Sequence, residues 1–285
     1  MLKTIKDNLK YLFLKLIALK NSGGSGPNGP GVRILIFHNV KKDLWPRFRS
    51  LVEHINEKYG FLTPAEAKDY FSGKSKVAGV KFLLSFDDGF MADAELFKEV
   101  LEPAGLKALF FVCPGFVGLD GKDATDFVVN NLFAGRISRV DASNYLPMGW
   151  EEIGYLRAKG NTIGAHTLRH VRLASITAEK QKENEIVGSK KALTDRLGNE
   201  IEWFAYPFGD IESIDRGSLE IIKNNYRFCC SGLRGININK CDPHGLSRDA
   251  IDLNAPLEHS KLLVSGLLDR FYSGKIGKLK EYLRA

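Results

Sequence analysis

The stretch KFLLSFDDGF, residues 81–90, places two adjacent carboxylates directly behind a run of apolar side chains. The run is typical of a buried strand, and Asp87 and Asp88 follow at its end. Neighbouring carboxylates at the rim of a core repel each other and lose hydration, so their ionisation needs a cation or strong donors nearby. A structural explanation is also open, because aspartate can cap the next helix while Gly89 supplies a positive φ.

The rest of the chain alternates short apolar runs with helical patterns. Helix patterns cover residues 93–101, 150–158 and 177–197. The other strand-like runs are VRILIFHNV, ALFFVC, NTIGAH, WFAYPF and YRFCC. Strands separated by helices predict parallel βαβ units, and 285 residues suffice for one substantial core, so we expect a single α/β domain. The long segment 116–149 is expected to shape a substrate site.

The formal charge of +7 is concentrated at the two ends of the chain. Residues 1–20 carry five lysines against one aspartate, and residues 270–285 carry five basic residues against one glutamate. The remainder is close to neutral and has no basic stripe interleaved with aromatics, so we expect no nucleic-acid partner. Basic ends fit peripheral contact with an anionic membrane, although simple solvation of the charges explains them equally well.

The N-terminal segment, residues 1–20, is predicted to form a basic amphipathic helix. Its apolar residues recur at helical spacing, but three lysines interrupt them, so the segment is too polar to span a membrane. It also fits a cleaved signal peptide poorly. The Gly/Pro-rich residues 21–31 form a predicted linker to the main folded domain, residues 32–270, and residues 271–285 are expected to be a basic tail or helix.

The four cysteines show no spacing typical of a metal site. They are Cys113, Cys229, Cys230 and Cys241. The adjacent pair lies in the apolar stretch YRFCCSG, where one thiol is expected to face a core as a small hydrophobe. We interpret the cysteines as reduced and structural, which favours a location in the cytoplasm or at the periphery of the inner membrane. Export is the alternative, and it requires a processed N-terminus.

The stretch GAHTLRH places two histidines four residues apart at the end of another predicted strand. Two imidazoles at this spacing can meet one ion if the chain between them is helical or turned. Together with Asp88, His166 and His170 supply two nitrogens and one carboxylate oxygen. This donor set matches a catalytic zinc site with one open position, where water becomes a nucleophile near neutral pH. Asp87 is then free to act as a general base.

The stretch FAYPFGD, residues 204–210, ends a third predicted strand with a tight turn. Pro207 and Gly209 shape that turn, and the backbone N–H of Phe208 is a candidate donor to a developing oxyanion. The alternative is a plain exit from strand to loop.

SFDDG, HTLRH and YPFG, in this order and spacing, resemble the motifs of the polysaccharide deacetylases of carbohydrate esterase family 4, the NodB-homology domain. The stretches ILIFHNV, MGWEEIGYLRAKGNTIGAHT and GLSRDAI extend the resemblance over residues 32–270. It implies a distorted (β/α)7 barrel, a single domain with parallel strands and a metal site at their carboxyl ends. By this resemblance, Asp87 is the catalytic base, and Asp88, His166 and His170 hold the metal. The family metal is usually Zn2+, and sometimes Co2+ or another divalent ion.

The chain departs from the family pattern at two positions. Ala205 stands where many members have an arginine that partners the base, and we expect Arg248, from GLSRDAI, to reach the same carboxylate from another strand. The histidine that protonates the leaving amine in many members has a literal match in LEH, but His259 there opens a stretch that we interpret as a terminal helix. His38 and His244 are the other candidates for the acid or for substrate contact.

The resemblance implies a hydrolase that acts on non-peptide carbon–nitrogen amide bonds. Its substrate is expected to be an N-acetylated amino sugar, either in a surface polysaccharide or in a lipid-linked saccharide precursor. Two alternatives stay open at this point, namely removal of a formyl group from a lipid-linked amino sugar and a catalytically silent barrel that binds glycan. The absent arginine favours the silent barrel, whereas the full set of base and metal ligands argues against it.

Overall fold

The computed structural model describes residues 29–136 and 141–284, in which seven strands form one sheet with parallel neighbours. In chain order the strands are β1 (Gly31–Phe37), β2 (Val80–Phe86), β3 (Ala108–Val112), β4 (Thr162–Ala165), β5 (Trp203–Ala205), β6 (Phe228–Cys230) and β7 (Arg248–Ala250). Their order around the sheet is β6-β5-β4-β3-β2-β1-β7. A parallel bridge between Cys230 and Leu246 joins the two edges into a nearly closed barrel. The expected distorted (β/α)7 barrel is confirmed.

Helices connect the strands and cover the outside of the barrel. Among the described residues the α-helices are α1 (Trp45–Lys58), α2 (Pro64–Phe71), α3 (Met91–Leu96), α4 (Gly121–Phe127), α5 (Trp150–Ala158), α6 (Glu179–Leu197), α7 (Arg216–Asn225), α8 (Leu257–Val264) and α9 (Ser273–Arg284). α3 and α4 each continue into a π-helical turn, Phe97–Leu101 and Val128–Leu132. The helices predicted over residues 93–101, 150–158 and 177–197 are confirmed to within two residues.

The terminal helix predicted over residues 256–271 is interrupted, so that prediction was wrong in its length. α8 ends at Val264, and Gly266 follows with a φ of 79°. This left-handed backbone conformation ends helices and costs glycine little. The chain then makes a 3₁₀ turn, Asp269–Tyr272, and continues into α9.

Side chains along each strand alternate between the barrel interior and the layer of helices. In β2 the residues that pack outward against the helices are Phe82, Leu84 and Phe86. Leu83 belongs to the interior apolar cluster, and Ser85 lies on the same side, within 3.3 Å of Arg248 from β7. The interior therefore becomes polar toward the carboxyl ends of the strands, where Asp87 follows.

The predicted N-terminal helix, residues 1–20, and nearly all of the predicted linker, residues 21–31, lie outside the described residues. Within the part of the chain that the structure describes, no helix combines the length and hydropathy needed to cross a lipid bilayer.

All four cysteines are free thiols, and three of them are buried. Burial raises the pKa of Cys229 well above its usual value and that of Cys230 to about 12. Both thiols therefore stay protonated and pack as small apolar groups in the wall of the barrel.

Candidate metal centre and active site

A cavity of about 580 Å³ lies at the carboxyl ends of the strands. Residues that follow β1, β2, β4 and β5 line it, because the carboxyl ends of parallel strands meet at one edge of the barrel. The sequence-predicted site residues that line it are His38, Asp87, Asp88, His166, His170, Phe208 and Arg248.

Asp88, His166 and His170 form one compact group on the floor of this cavity. Their ligand atoms all lie within 4.8 Å of one another, and all three residues are buried. Asp88 Oδ1 is 3.4 Å from Nε2 of His166 and 3.3 Å from Nε2 of His170. The structure therefore brings together the three residues predicted to hold a metal.

Hydrogen bonds to carbonyl oxygens orient both imidazoles. Nδ1 of His166 lies 2.7 Å from the carbonyl oxygen of Ala205, and Nδ1 of His170 lies 3.1 Å from that of Asn131. A carbonyl oxygen only accepts, so each Nδ1 carries a proton and each Nε2 is the nitrogen that faces Asp88. This is the usual support of metal-binding histidines. Sequence reasoning missed Asn131, which meets His170 through its backbone oxygen while its side-chain amide donates to the carbonyl oxygen of Arg169 over 2.7 Å.

The electrostatics of this group fit a divalent cation. Oδ1 of Asp88 is buried and has no hydrogen-bond partner among the described residues. Burial alone would raise the pKa of Asp88, but the neighbouring imidazoles outweigh burial and hold it well below its usual value. Burial also lowers the pKa of His170 to about 4, so its imidazole is neutral near pH 7. Two imidazole nitrogens and one carboxylate oxygen are donors that zinc accepts, with a position left open.

The backbone around the site is held in left-handed conformations. The φ angles are 76° at Asp88, 57° at Thr167, 56° at His170 and 64° at Phe208. Such angles are uncommon for residues other than glycine and persist only where the surroundings hold them. Their concentration at one cavity indicates that the surrounding contacts determine where these side chains point.

Asp87 makes a different set of contacts from its neighbour. Nη1 and Nη2 of Arg248 donate to its two carboxylate oxygens over 2.7 and 2.8 Å. Arg248 is itself buried in the barrel interior, where its Nε donates to the carbonyl oxygen of Ser231. The expected contact between Arg248 and Asp87 is therefore present. Arg248 supplies the guanidinium group that Ala205 cannot.

Arg248 determines the protonation state of Asp87. Burial alone would raise the pKa of Asp87, but the charge and hydrogen bonds of Arg248 outweigh it, so the pKa lies below its usual value. Asp87 is therefore ionised near pH 7, as a general base must be.

His38 stands at the rim of the cavity, immediately after β1. Its Nε2 is 3.9 Å from Oδ2 of Asp87, and 49% of its side chain is exposed. The next two backbone N–H groups, those of Asn39 and Val40, donate to the buried carboxyl group of Asp93 on α3. Asp93 thus fixes the loop that presents His38.

Phe208 and Pro207 form the turn after β5, as the sequence predicted. The ring of Phe208 lines the cavity and meets His170 edge-on, with ring centroids 4.8 Å apart. Its backbone N–H has no hydrogen-bond acceptor among the described residues. Pro207 is buried behind the turn and does not line the cavity.

Two other histidine candidates lie away from the cavity. His244 precedes β7 at the opposite end of the barrel, where its Nε2 is 2.9 Å from the carbonyl oxygen of Tyr226. His259 is buried in the first turn of α8 and does not line the cavity. The expectation that His244 contacts substrate or serves as the acid is therefore corrected, because strand polarity places it at the wrong end of the barrel.

An aromatic wall completes the cavity, and sequence reasoning did not identify its members. Tyr145 lies between Phe133 and Phe90, with ring centroids 5.4 and 6.1 Å away. Nζ of Lys41 sits 5.3 Å above the Tyr145 ring. Phe133 and Tyr145 belong to the long segment 116–149 that was expected to shape a substrate site, so the length of that segment was the available indication.

A barrel whose carboxyl-end cavity pairs an ionised aspartate with a set of metal-binding donors has the general layout of a hydrolase. The chain belongs to the polysaccharide deacetylase family, because the sequence model of that family matches residues 74–225, more than half of the chain. The matched region includes Asp87, Asp88, both clustered histidines and the turn at Pro207. The family resemblance stated from the sequence is thereby confirmed, and the family implies a deacetylase.

Three solved structures of similar fold illustrate the likeness, and two of them are of deacetylases. IcaB from Ammonifex degensii is 19% identical with a TM-score of 0.64, and the alignment covers 84% of this chain and 100% of that one. PplD from Streptococcus pyogenes, solved with acetate, is 19% identical with a TM-score of 0.62, covering 84% and 99%. A de-N-acetylase from Aggregatibacter actinomycetemcomitans is 16% identical with a TM-score of 0.61, covering 81% and 99%. At these identities the likeness establishes the fold. A comparison with curated proteins found no match.

Proposed function

We propose that this chain is a metal-dependent hydrolase that removes the N-acetyl group from an amino sugar of a surface polysaccharide or of its lipid-linked precursor. One observation carries the proposal, which is the division of the Asp87–Asp88 pair. Asp88 joins two imidazoles in one possible metal-binding group, while Asp87 is held ionised by Arg248 over 2.7 and 2.8 Å. A silent glycan-binding barrel has no need of this division.

Asp88, His166 and His170 are the residues that would hold the ion, most naturally Zn2+, with Co2+ or another divalent ion as substitutes. Such an ion, when bound, polarises an acyl oxygen and makes coordinated water acidic. The protein's part is to orient both imidazoles, and the carbonyl oxygens of Ala205 and Asn131 do this through the Nδ1 atoms.

Asp87 acts as the general base. Its carboxylate lies 4.0 Å from Nε2 of His166, close enough to the metal group to take a proton from the attacking water. Arg248 fixes the orientation of this carboxylate by two parallel hydrogen bonds, which a lysine cannot form.

His38 acts as the general acid that protonates the departing amine nitrogen. It lies 3.9 Å from Asp87 at the open rim, where the sugar nitrogen would leave. The backbone N–H of Phe208 is the donor proposed for the developing negative charge on the acyl oxygen, since Phe208 lines the same cavity and this donor has no acceptor among the described residues.

The cavity walls favour a sugar as the substrate. Tyr145, Phe133 and Phe90 offer apolar ring faces against which a sugar ring can pack, and Asn39 and Lys41 add polar groups at the rim. The acetate in the PplD structure and the fact that the Aggregatibacter protein is a de-N-acetylase support acetyl as the group removed. We propose a location in the cytoplasm or at the periphery of the inner membrane.

Release of the acyl group tests this function directly. Zinc-loaded protein is incubated with polymeric and lipid-linked N-acetyl and N-formyl amino sugars, and acetate and formate are quantified with and without a chelator. Chelator-sensitive acetate release is the expected result. Formate release alone would identify a deformylase, and release of neither acid from any substrate would point to a binding barrel.

A further inference from the structure

A second cavity, of about 570 Å³, lies at the end of the barrel opposite the active site. It runs between the loop of residues 235–242 and helix α9, and we call it the basal groove. Asn237 of this loop pairs with Val32 at the amino end of β1, whereas His38 of the active site follows the carboxyl end of the same strand. The two cavities are therefore separated by the length of the barrel.

Apolar side chains form the floor and part of the rim of the basal groove. Leu279 and Leu283 of α9 are buried on its floor, and Ile236 lines it from the loop. Three large apolar side chains are exposed among the described residues, and two of them belong to this region. Ile238 lies on the groove and is 55% exposed, while Phe271, just before α9, is 56% exposed.

Uncompensated positive charge surrounds this apolar surface. Lys240, Lys280 and Arg284 line the groove, are exposed, and pair with no carboxylate among the described residues. Helix α9 carries four basic residues against one acidic residue.

One of the two acidic residues of the groove is paired with a cation, since Asp269 lies 2.8 Å from the buried Arg33. The other, Asp242, accepts a hydrogen bond from the backbone N–H of His244 over 2.9 Å and keeps its charge. The three basic side chains outnumber this one carboxylate, so the groove presents apolar and cationic groups together.

We propose that the basal groove docks this chain on an anionic membrane surface. Lys240, Lys280 and Arg284 contact lipid phosphates, and Ile238 and Phe271 reach into the interfacial layer. An anionic phospholipid surface complements this combination, because its phosphates attract the cationic rim and its interfacial layer accepts the exposed apolar side chains. The inference concerns how the molecule is held in place, and it stands independently of the proposed reaction.

The course of the chain agrees with this orientation. A Cβ added at Gly31, the first residue of β1, would lie within 3 Å of Ile236 and Asn237, so the chain enters β1 beside the groove. Residues 1–20 carry five lysines against one aspartate. Because residues 1–20 and the basal groove are both positively charged, they repel each other, and the segment is disfavoured as the group that fills the groove. An anionic membrane surface attracts both the segment and the groove.

Docking through this end directs the active site away from the membrane. A seven-residue strand such as β1 is about 23 Å long. With the barrel standing on its basal groove, a lipid-linked substrate must carry a saccharide that extends at least this far from the bilayer. The orientation therefore favours long glycans over a single sugar on a lipid.

Vesicle binding of the full chain tests the proposal with a matched control. The variant Lys240→Glu/Lys280→Glu reverses two charges at the groove, and Lys122→Glu/Lys180→Glu reverses two exposed lysines on α4 and α6, near the active-site end. On vesicles containing phosphatidylglycerol, the groove variant should bind at least about tenfold more weakly than wild type. The control should stay within about twofold. Equal loss in both variants, or no loss in the groove variant, would overturn the proposal.

Hydrogen exchange of the wild-type chain gives a second readout that needs no variant. Anionic vesicles should slow exchange in residues 236–242 and 273–284, and vesicles of phosphatidylcholine alone should not. Slower exchange only in residues 1–28 would contradict the assignment. Exchange in the groove that vesicles leave unchanged, because the N-terminal segment already fills the groove, would also contradict it. Acetate release from a soluble substrate, measured on both variants, keeps this result separate from the proposed activity.

Discussion

Asp87 and Asp88 are neighbours in the chain, and the structure gives their carboxylates different partners. The left-handed backbone at Asp88 turns its side chain toward the two histidines, while Asp87 continues the inward direction of β2 and meets Arg248. Each negative charge is thus offset by a different group. Two adjacent carboxylates stay ionised in a buried place because they do not compete for one partner.

Replacing Arg248 with lysine should change the pH dependence of the reaction. Arg248 holds the pKa of Asp87 low against burial, and one ammonium group cannot form the two-point contact. The pKa of Asp87 therefore rises in the variant, and because the base must be ionised, the acidic limb of the kcat/KM profile moves to higher pH. Arg157→Lys, an exposed arginine that bonds only the carbonyl oxygen of Leu197, serves as the control. An unshifted limb in the Arg248 variant would refute this role.

The principal site residues were predictable because of where they stand in the sequence. Asp88 and His166 each follow an apolar strand, and strand ends of a parallel barrel converge. His244 misled the sequence analysis, since a histidine before a strand lies at the opposite end from one after it. The contributions of Asn131 and Ala205 were not predictable, because a backbone carbonyl leaves no mark on residue type.

Helix α6 supports the metal-binding loop through one buried side chain. Glu185 is fully buried, and its carboxylate accepts hydrogen bonds from the backbone N–H of Arg169 at 2.9 Å and from its Nε at 2.8 Å. Its carbonyl oxygen accepts from the N–H of Leu168. These contacts hold the loop between the two histidines, in which Thr167 and His170 have left-handed φ angles.

Glu185→Gln should weaken metal binding while leaving the fold intact. The amide keeps the size of the side chain but offers one acceptor where Arg169 needs two, so His170 is held less firmly. We expect metal affinity, measured by competition with a chelating dye, to fall about 10- to 100-fold. Glu183→Gln, an exposed glutamate on the same helix, should bind metal like wild type. Equal affinities for both variants would exclude a positioning role for Glu185.

Asp93 on α3 should make stability depend on pH. Burial raises its pKa to about 7, although the N–H groups of Asn39 and Val40 oppose the rise. Between about pH 4 and 7 the native state holds a proton that the unfolded state has lost, so the free energy of unfolding decreases as pH rises.

This pH dependence is measured as a difference between wild type and Asp93→Asn, in urea with chelator present. The free energy of unfolding of wild type minus that of Asp93→Asn should decrease as pH rises from 5 to 8. Asp195→Asn, at an exposed position on α6, should give a flat difference. A flat or rising difference for the Asp93 variant would contradict the expected titration.

At the scale of elements, helices were easier to predict than strand pairing. Helix α5 matches its predicted bounds, and its two buried side chains, Ile153 and Leu156, lie three residues apart on one face. The interruption at Gly266 was harder to predict. The amphipathic pattern continues through this residue and favours a helix, whereas the tendency of glycine to adopt a positive φ favours a break. β7, three residues long, carries too little periodicity to be found without the family resemblance.

The whole barrel is organised around the seam where β7 meets β1. Ile34 pairs with Arg248, and the buried Arg33 donates to Asp249 over 2.7 Å. Because neighbouring residues of a strand face opposite sides, the Arg33–Asp249 pair on the outer face sets the height of Arg248 inside the barrel. Closing the barrel and orienting the base are therefore parts of one arrangement, although Arg248 lies more than 160 residues from Asp87.

The molecule separates two tasks between its ends. The carboxyl ends of the strands carry the proposed chemistry, and the amino ends carry the apolar and cationic basal groove. The overall charge of +7 indicated basic ends from the sequence, but only the fold places α9 beside the loop of residues 235–242.

The division of the aspartate pair is the central claim, and one paired measurement tests it. Asp87→Asn and Asp88→Asn are loaded with zinc in parallel, and bound metal and acetate release are quantified for each. Asp87→Asn should retain one equivalent of zinc while its acetate release falls about 10²- to 10⁴-fold, whereas Asp88→Asn should lose the metal itself. Stoichiometric zinc in Asp88→Asn, or wild-type acetate release by Asp87→Asn, would contradict the account.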